Sequence, residues 1–130
     1  MQNESTNEKF SVEKRLKSMG HAWRGLGLFF KTTHNAWVHL VIFAVVIFAG
    51  FYFKITQVEW FAIILVSGLV FMAEAFNTAM EIDIDLTSPD FHPRARDTKD
   101  VAAGAVLISA ITAVVVGVFI FYPHICAIFW

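Results

Sequence analysis

The stretch 70-VFMAEAFNTAMEIDID-85 places Glu74, Asn77, Glu81 and Asp85 at the end of a run from Phe61 to Ala73 without one charge. On a helix their spacing puts all four on one face, within a sector of roughly 80° at 100° per residue. Asp83 points elsewhere. Ionisable groups inside a membrane span cost about 2.5–3.5 kcal/mol on insertion scales and rarely face lipid. Lined up in one stripe, they imply a shared wet cleft or a bound cation. Glu74 lies about 10 Å, or two turns, from Glu81 along the axis. With Glu81 near the membrane surface and Glu74 deeper, such a site suits a water-soluble reagent meeting a lipid headgroup. Solvation at the membrane edge is enough to account for Asp83 and Asp85; it does not account for Glu74 and Asn77.

The stripe needs a helix to carry it, and composition says of what kind. The 130 residues are 57% hydrophobic and 16% charged, with mean hydropathy +0.60. Soluble domains average about 45–50% apolar and about 25% charged, so this chain is too apolar for an ordinary soluble fold. Three segments, Trp37–Phe53, Trp60–Met80 and Val101–Tyr122, are long enough to span a bilayer, which takes roughly 20 helical residues. They lack the alternation of strands. The spacing predicts an all-α integral membrane protein with spans over about 36–54, 59–82 and 101–122. Residues 36–122 then form the membrane domain, with a tail over 123–130.

Residues 10–33 are expected to form a separate amphipathic surface helix. Leu16, Met19, Trp23, Leu26 and Phe30 repeat on one face, and Lys14, Lys17, Arg24 and Lys31 on another, the pattern of a basic helix lying among lipid headgroups. Gly20, Gly25 and Gly27 leave room for a bend or for a ligand's close approach. Residues 1–9 read as a disordered tail, and no secretory signal is expected there. Basic residues cluster before the first span and, as Arg94, Arg96 and Lys99, in the loop before the third, whereas only Lys54 falls between the first two. The positive-inside rule puts the N-terminus and that second loop in the cytoplasm and the C-terminus outside. Cys126 has no partner for an internal disulfide, and the Trp residues suit an interfacial belt. His39 reads as a capping or interfacial histidine that could line the site. At a net charge of −1, nucleic acid is not an expected partner.

The pattern Glu74-x-x-Asn77-Thr78-Ala79-x-Glu81, then Asp85, then Lys99-Asp100 leading into 101-VAAGAVL-107, resembles the prokaryotic diacylglycerol kinase family, which includes undecaprenol kinases. The N-terminal 22-AWRGL-26 matches as well. The resemblance runs from about Phe10 to Tyr122 and implies a membrane lipid kinase of the bacterial inner membrane, a homotrimer using ATP and Mg2+. It implies Glu74 as general base, with Glu74, Asn77, Trp23 and Lys99 meeting the lipid. Glu81 would hold the metal. Lys14, His21, Thr33, Glu81, Asp90, Phe91, His92, Lys99 and Asp100 would meet the nucleotide. Diacylglycerol is the first expected substrate and undecaprenol the alternative. A primary hydroxyl is a poor nucleophile, which a positioned carboxylate activates. Phosphoryl transfer otherwise asks for positioning and for cations on the phosphate oxygens. No Gly-x-x-x-x-Gly-Lys-[Ser/Thr] occurs, which excludes a P-loop site.

Thr33 departs from the family's pattern, which usually places a glutamate there as a second ligand for metal or nucleotide. Metal binding then relies more on Glu81 and the phosphates, or His34 or Asn35 compensates, or the activity is weakened or altered. Two rivals from other classes are an ion- or proton-conducting bundle, with Glu74 and Glu81 as relays, and a membrane scaffold whose polar stripe seals an oligomer interface.

Overall fold

A computed structural model describes residues 12–129, which form four helices: α1 over Val12–Thr32, α2 over His34–Phe53, α3 over Gln57–Thr87 and α4 over Pro93–Phe129. The all-helical reading holds, and α2, α3 and α4 are long and apolar enough to cross a membrane. The tail expected over residues 1–9 lies outside the described residues.

Helix length organises the molecule. A hydrocarbon core of about 30 Å is spanned by roughly 20 residues at 1.5 Å each. The 20 residues of α2 match it, while α3 has 31 and α4 has 37. The surplus of α3 beyond the expected border at residue 82 carries Asp83 and Asp85. That of α4 ahead of residue 101 carries Arg94, Arg96, Lys99 and Asp100. This corrects one expectation. Those basic residues are helical, and the connecting segment is only residues 88–92. Pro93 can open the helix because the first helical amide has no partner in any case, and the His92 ring Nδ1 accepts the Arg94 amide at 3.2 Å. At its other end α4 runs through Pro123 to Phe129 without a break.

The turn between α2 and α3 is fixed by local chemistry. Lys54 takes the left-handed conformation, φ 52 and ψ 48, that ends many helices, and its amide closes on the Gly50 and Phe51 carbonyls. Two residues on, Thr56 and Glu59 form a capping box: the Glu59 carboxylate accepts the Thr56 amide at 2.7 Å, and the Thr56 hydroxyl accepts the Glu59 amide at 3.4 Å. The second Glu59 oxygen meets His124 Nε2 at 3.2 Å, tying the start of α3 to the end of α4. At the opposite end Lys99 pairs with Asp85. These two contacts fix α3 and α4 as an antiparallel pair. Ile55, Ile63 and Ile120 form the buried cluster near the turn, packed by Trp60, Phe53 and Phe121.

By contrast α1 stands off the bundle. Leu16, Met19, Trp23 and Leu26 are exposed, and only the last turn docks, with Phe29 buried and Phe30 against Phe71 and Trp37. The Trp37 indole donates to the Phe30 carbonyl at 2.8 Å. No break interrupts α1 at its glycines. The helix is continuous through all three, and an added Cβ at any of them would meet nothing within 4 Å.

Gly50 is different, because an added Cβ there would lie 2.6 Å from the Trp60 ring. Trp60 is held by Phe51, with ring centroids 5.0 Å apart, so it has little room to retreat. Gly50→Ala should destabilise the hairpin by about 1–3 kcal/mol, the usual range for overpacking. A lowered midpoint of thermal unfolding in detergent is the expected reading; an unchanged one would mean that Trp60 swings aside freely.

Candidate functional site

The last turn of α1 and the first of α2 meet the lower half of α3 around a polar cleft of about 270 Å³. The stripe read from the sequence faces it with graded burial: Glu74 is 1% exposed and Asn77 7%, whereas Glu81 and Asp85 are open to solvent. The Asn77 side-chain amide donates to Glu81 Oε1 at 3.0 Å. Asn77 Oδ1 and both Glu74 carboxylate oxygens are buried without a hydrogen-bond partner. Buried polar atoms are nearly always satisfied, and an isolated buried carboxylate is costly. Three such oxygens on one cleft wall call for a donor from water, a ligand or a neighbouring chain.

Thr33 shows how the cleft is closed at its upper rim. The chain is extended there, with φ −103 and ψ 106, and its hydroxyl makes no cap bond to α2. It lies instead 2.8 Å from the Thr78 hydroxyl. Thr78 already gives its single hydrogen to the Glu74 carbonyl at 2.9 Å, so Thr33 is the donor between them. The position where a carboxylate was considered thus carries a structural bond from the α1–α2 junction to α3. His34 and Asn35 line the same cleft.

Of the residues predicted for the site, the fold brings Thr33, Glu74, Asn77 and Glu81 together, with Asp85 beside them. Lys99 stands at the rim through its pairing with Asp85. Asp100 turns to Arg96, at 3.6 Å. Asp90, Phe91 and His92 occupy the exposed connection between α3 and α4, and Lys14, His21 and Trp23 lie along exposed α1; none of these six lines the cleft within one chain.

Thr78 carries no role in the sequence pattern, and His39, expected as a capping or interfacial residue that could line the site, stands beside Glu74. Its Nε2 faces Glu74 Oε2 at 3.9 Å. The signal was available in the hairpin: His39 and Glu74 lie 17 and 18 residues from Thr56, so equal helical rise puts them at one depth.

Among the described residues no three Asp, Glu, His or Cys side chains converge as a ready-made metal cluster. Mg2+ does not need one, since it is commonly held by one or two carboxylates, water and substrate phosphates. Glu81, with one oxygen outside its bond to Asn77, and Asp85 fit that demand. Glu74, deeper and less accessible, fits proton transfer better than an ion with a hydration shell.

A family model described as prokaryotic diacylglycerol kinase matches residues 20–121. Among named proteins, the undecaprenol kinase of Bacillus subtilis is 34% identical over 122 residues, covering 94% of this chain and 99% of its own. The diacylglycerol kinase of Synechocystis sp. is 36% identical over 114 residues, covering 87% of this chain and 65% of its own.

The Thr33–Thr78 bond gives the site a test of its own. Thr78→Val removes both hydroxyl contacts at a buried position, and should lower stability by about 1–2 kcal/mol while speeding tryptic cleavage at Lys31. Thr78→Ser should behave as the parent does in both assays.

Proposed function

We propose that this chain, which belongs to the prokaryotic diacylglycerol kinase family and is a membrane lipid kinase, transfers the γ-phosphate of ATP to the primary hydroxyl of a lipid alcohol, with Glu74 as general base. The observation that carries this reading is the pair of Glu74 oxygens, buried in the cleft wall without a partner. Their need for a hydrogen-bond donor is what a substrate hydroxyl supplies. As the hydroxyl oxygen bonds to phosphorus, its proton passes to Glu74 and the bond to ADP breaks. A barrier reduction of this kind is worth about 10²–10⁴ in rate.

Glu81 and Asp85 would hold Mg2+, which supplies charge neutralisation on the phosphate oxygens when bound. Asn77 keeps the Glu81 carboxylate oriented through its amide. Lys99, at the rim beside Asp85, is placed to meet phosphate once a cation takes its share of that carboxylate. Diacylglycerol is the first substrate by the family's description. Undecaprenol is the second reading, favoured by the match to the Bacillus subtilis kinase over 99% of that protein's length.

The active form is a homotrimer. In support, a single chain leaves the apolar faces of three membrane-capable helices exposed, and leaves Lys14, His21, Trp23 and Asp90 to His92 away from the cleft. A neighbouring copy covers the first and lets the second complete a nucleotide site. In this reading α1 lies in the headgroup layer, its Leu16, Met19, Trp23 and Leu26 face toward the acyl chains and its basic face toward water. The protein is then a multi-pass component of the bacterial cytoplasmic membrane. Its N-terminus is inside, on the side where Arg94, Arg96 and Lys99 gather.

Glu74→Gln is isosteric and should assemble as the parent does, yet lose at least about a hundredfold in turnover. The measurement is transfer of labelled γ-phosphate to diacylglycerol and to undecaprenol, offered separately in mixed micelles with Mg2+. Normal turnover by the variant would remove Glu74 from the chemistry. Product from one lipid alone would decide between the two substrates.

A further inference from the structure

We infer that His39 binds the substrate hydroxyl and holds it against Glu74, at the point where the polar cleft gives way to an apolar cavity that receives the lipid's hydrocarbon chain. The inference rests on the lipid kinase reading above and deepens it.

Three observations converge on this position. First, His39 Nε2 and Glu74 Oε2 are 3.9 Å apart. That is beyond the reach of a direct hydrogen bond, and neither Glu74 oxygen has another partner. An oxygen atom about 2.8 Å from each would sit between them at an angle of roughly 90°, ordinary geometry for a hydroxyl that donates one bond and accepts another. Second, His39 also lines a separate cavity of about 230 Å³ between α2, α3 and α4, walled by apolar side chains such as Phe43, Val46, Val70 and Val114. A ligand bridging His39 and Glu74 therefore has an apolar channel on one side and the nucleotide cleft on the other, which describes an amphiphile with one reactive hydroxyl. Third, the imidazole is positioned by its neighbours. Its ring meets the edge of Phe71 at 6.4 Å and 77°, and Phe71 is braced in turn by Phe43 at 6.1 Å and 87°.

The division of labour follows from donor and acceptor capacity. The imidazole donates Nε2–H to the hydroxyl oxygen. That leaves the hydroxyl's own hydrogen directed at Glu74 Oε2, the orientation that proton abstraction requires. In the transfer step the O–H bond breaks and its proton goes to Glu74. The oxygen forms the new bond to the γ-phosphorus, and the bond from that phosphorus to the bridging oxygen breaks with ADP taking the electron pair. His39 enters and leaves with the same protons.

The test compares the parent protein, His39→Leu and His39→Gln in mixed micelles. The probes are 1,2-dioleoylglycerol and undecaprenol as substrates, and the analogue of each with hydrogen in place of the hydroxyl as a competitive inhibitor. Leucine keeps the packing on Phe71 and removes the N–H; glutamine retains a donor. His39→Leu should raise the KM for the lipid and lower kcat/KM about tenfold, the loss of one hydrogen bond, with the KM for ATP unchanged. It should also reduce the parent's preference for binding the alcohol over its deoxy analogue, leaving the share that Glu74 supplies, and His39→Gln should restore part of both. The inference is overturned by a His39→Leu variant with the parent's lipid KM and preference, or, should that variant fail to fold, by a parent protein that binds alcohol and deoxy analogue equally well. A different pattern, full activity in Glu74→Gln or no transfer to either lipid by the parent, would overturn the kinase-site reading, and this inference with it.

Discussion

An uncompensated carboxylate in an apolar helix governs the rest of this molecule. Glu74 is 1% exposed and has no hydrogen bond to either oxygen. A charge removed from water is tolerated only where a partner, a ligand or residual water offsets the loss. No side chain of α3 donates to it: Asn77 gives an amide hydrogen to Glu81, and Thr78 gives its hydroxyl hydrogen to the Glu74 carbonyl. The side chain that faces it comes from another helix, His39 on α2, and it stops at 3.9 Å. The fold therefore brings groups to the edge of satisfying Glu74 without doing so. A donor from water, a ligand or a neighbouring chain would complete it.

Holding that gap open is a task for the hairpin and its clamps. Whether His39 meets Glu74 depends on the register of α2 against α3, which is set at the turn by the Lys54 cap, the Thr56–Glu59 box and the Gly50–Trp60 contact. At the far ends of α3 and α4, Glu59 meets His124 and Asp85 meets Lys99. The two pairs differ in consequence. The first closes the end near the turn, away from the polar cleft. The second sits on the rim of the cleft, so α3–α4 packing engages a carboxylate that also lines the cleft.

The excess length of α3 and α4 has a similar double use. A helix cut to the hydrocarbon thickness would end near residue 82 and leave Asp85 in a loop. By continuing to Thr87, α3 carries its polar stripe out of the membrane on one rigid face, from dry Glu74 to wet Asp85. Rigid elements hold catalytic groups more accurately than loops do. Thr33 shows the same economy. The hydroxyl there joins the α1–α2 junction to α3, so the side chain that departs from the family pattern still supports the cleft by a bond to Thr78.

Much of this was legible in the residues alone. Apolar runs near the length of a bilayer dictate helices, because in lipid every backbone amide must be satisfied within its own segment. The 3.6-residue period then puts Glu74, Asn77, Glu81 and Asp85 on one face whatever surrounds them. The T-x-x-E box at Thr56 and Glu59 is equally local. What only the tertiary structure decided were the relations between helices. They include the orphaning of Glu74, the use of Thr33 as a donor to Thr78, the pairing of Lys99 with Asp85, and the placement of His39 beside the buried carboxylate. Helix formation depends on contacts three and four residues apart, which a sequence displays directly. The depth and register at which two helices meet depend on a turn and on the volumes of side chains tens of residues apart, and those are settled only when the helices pack.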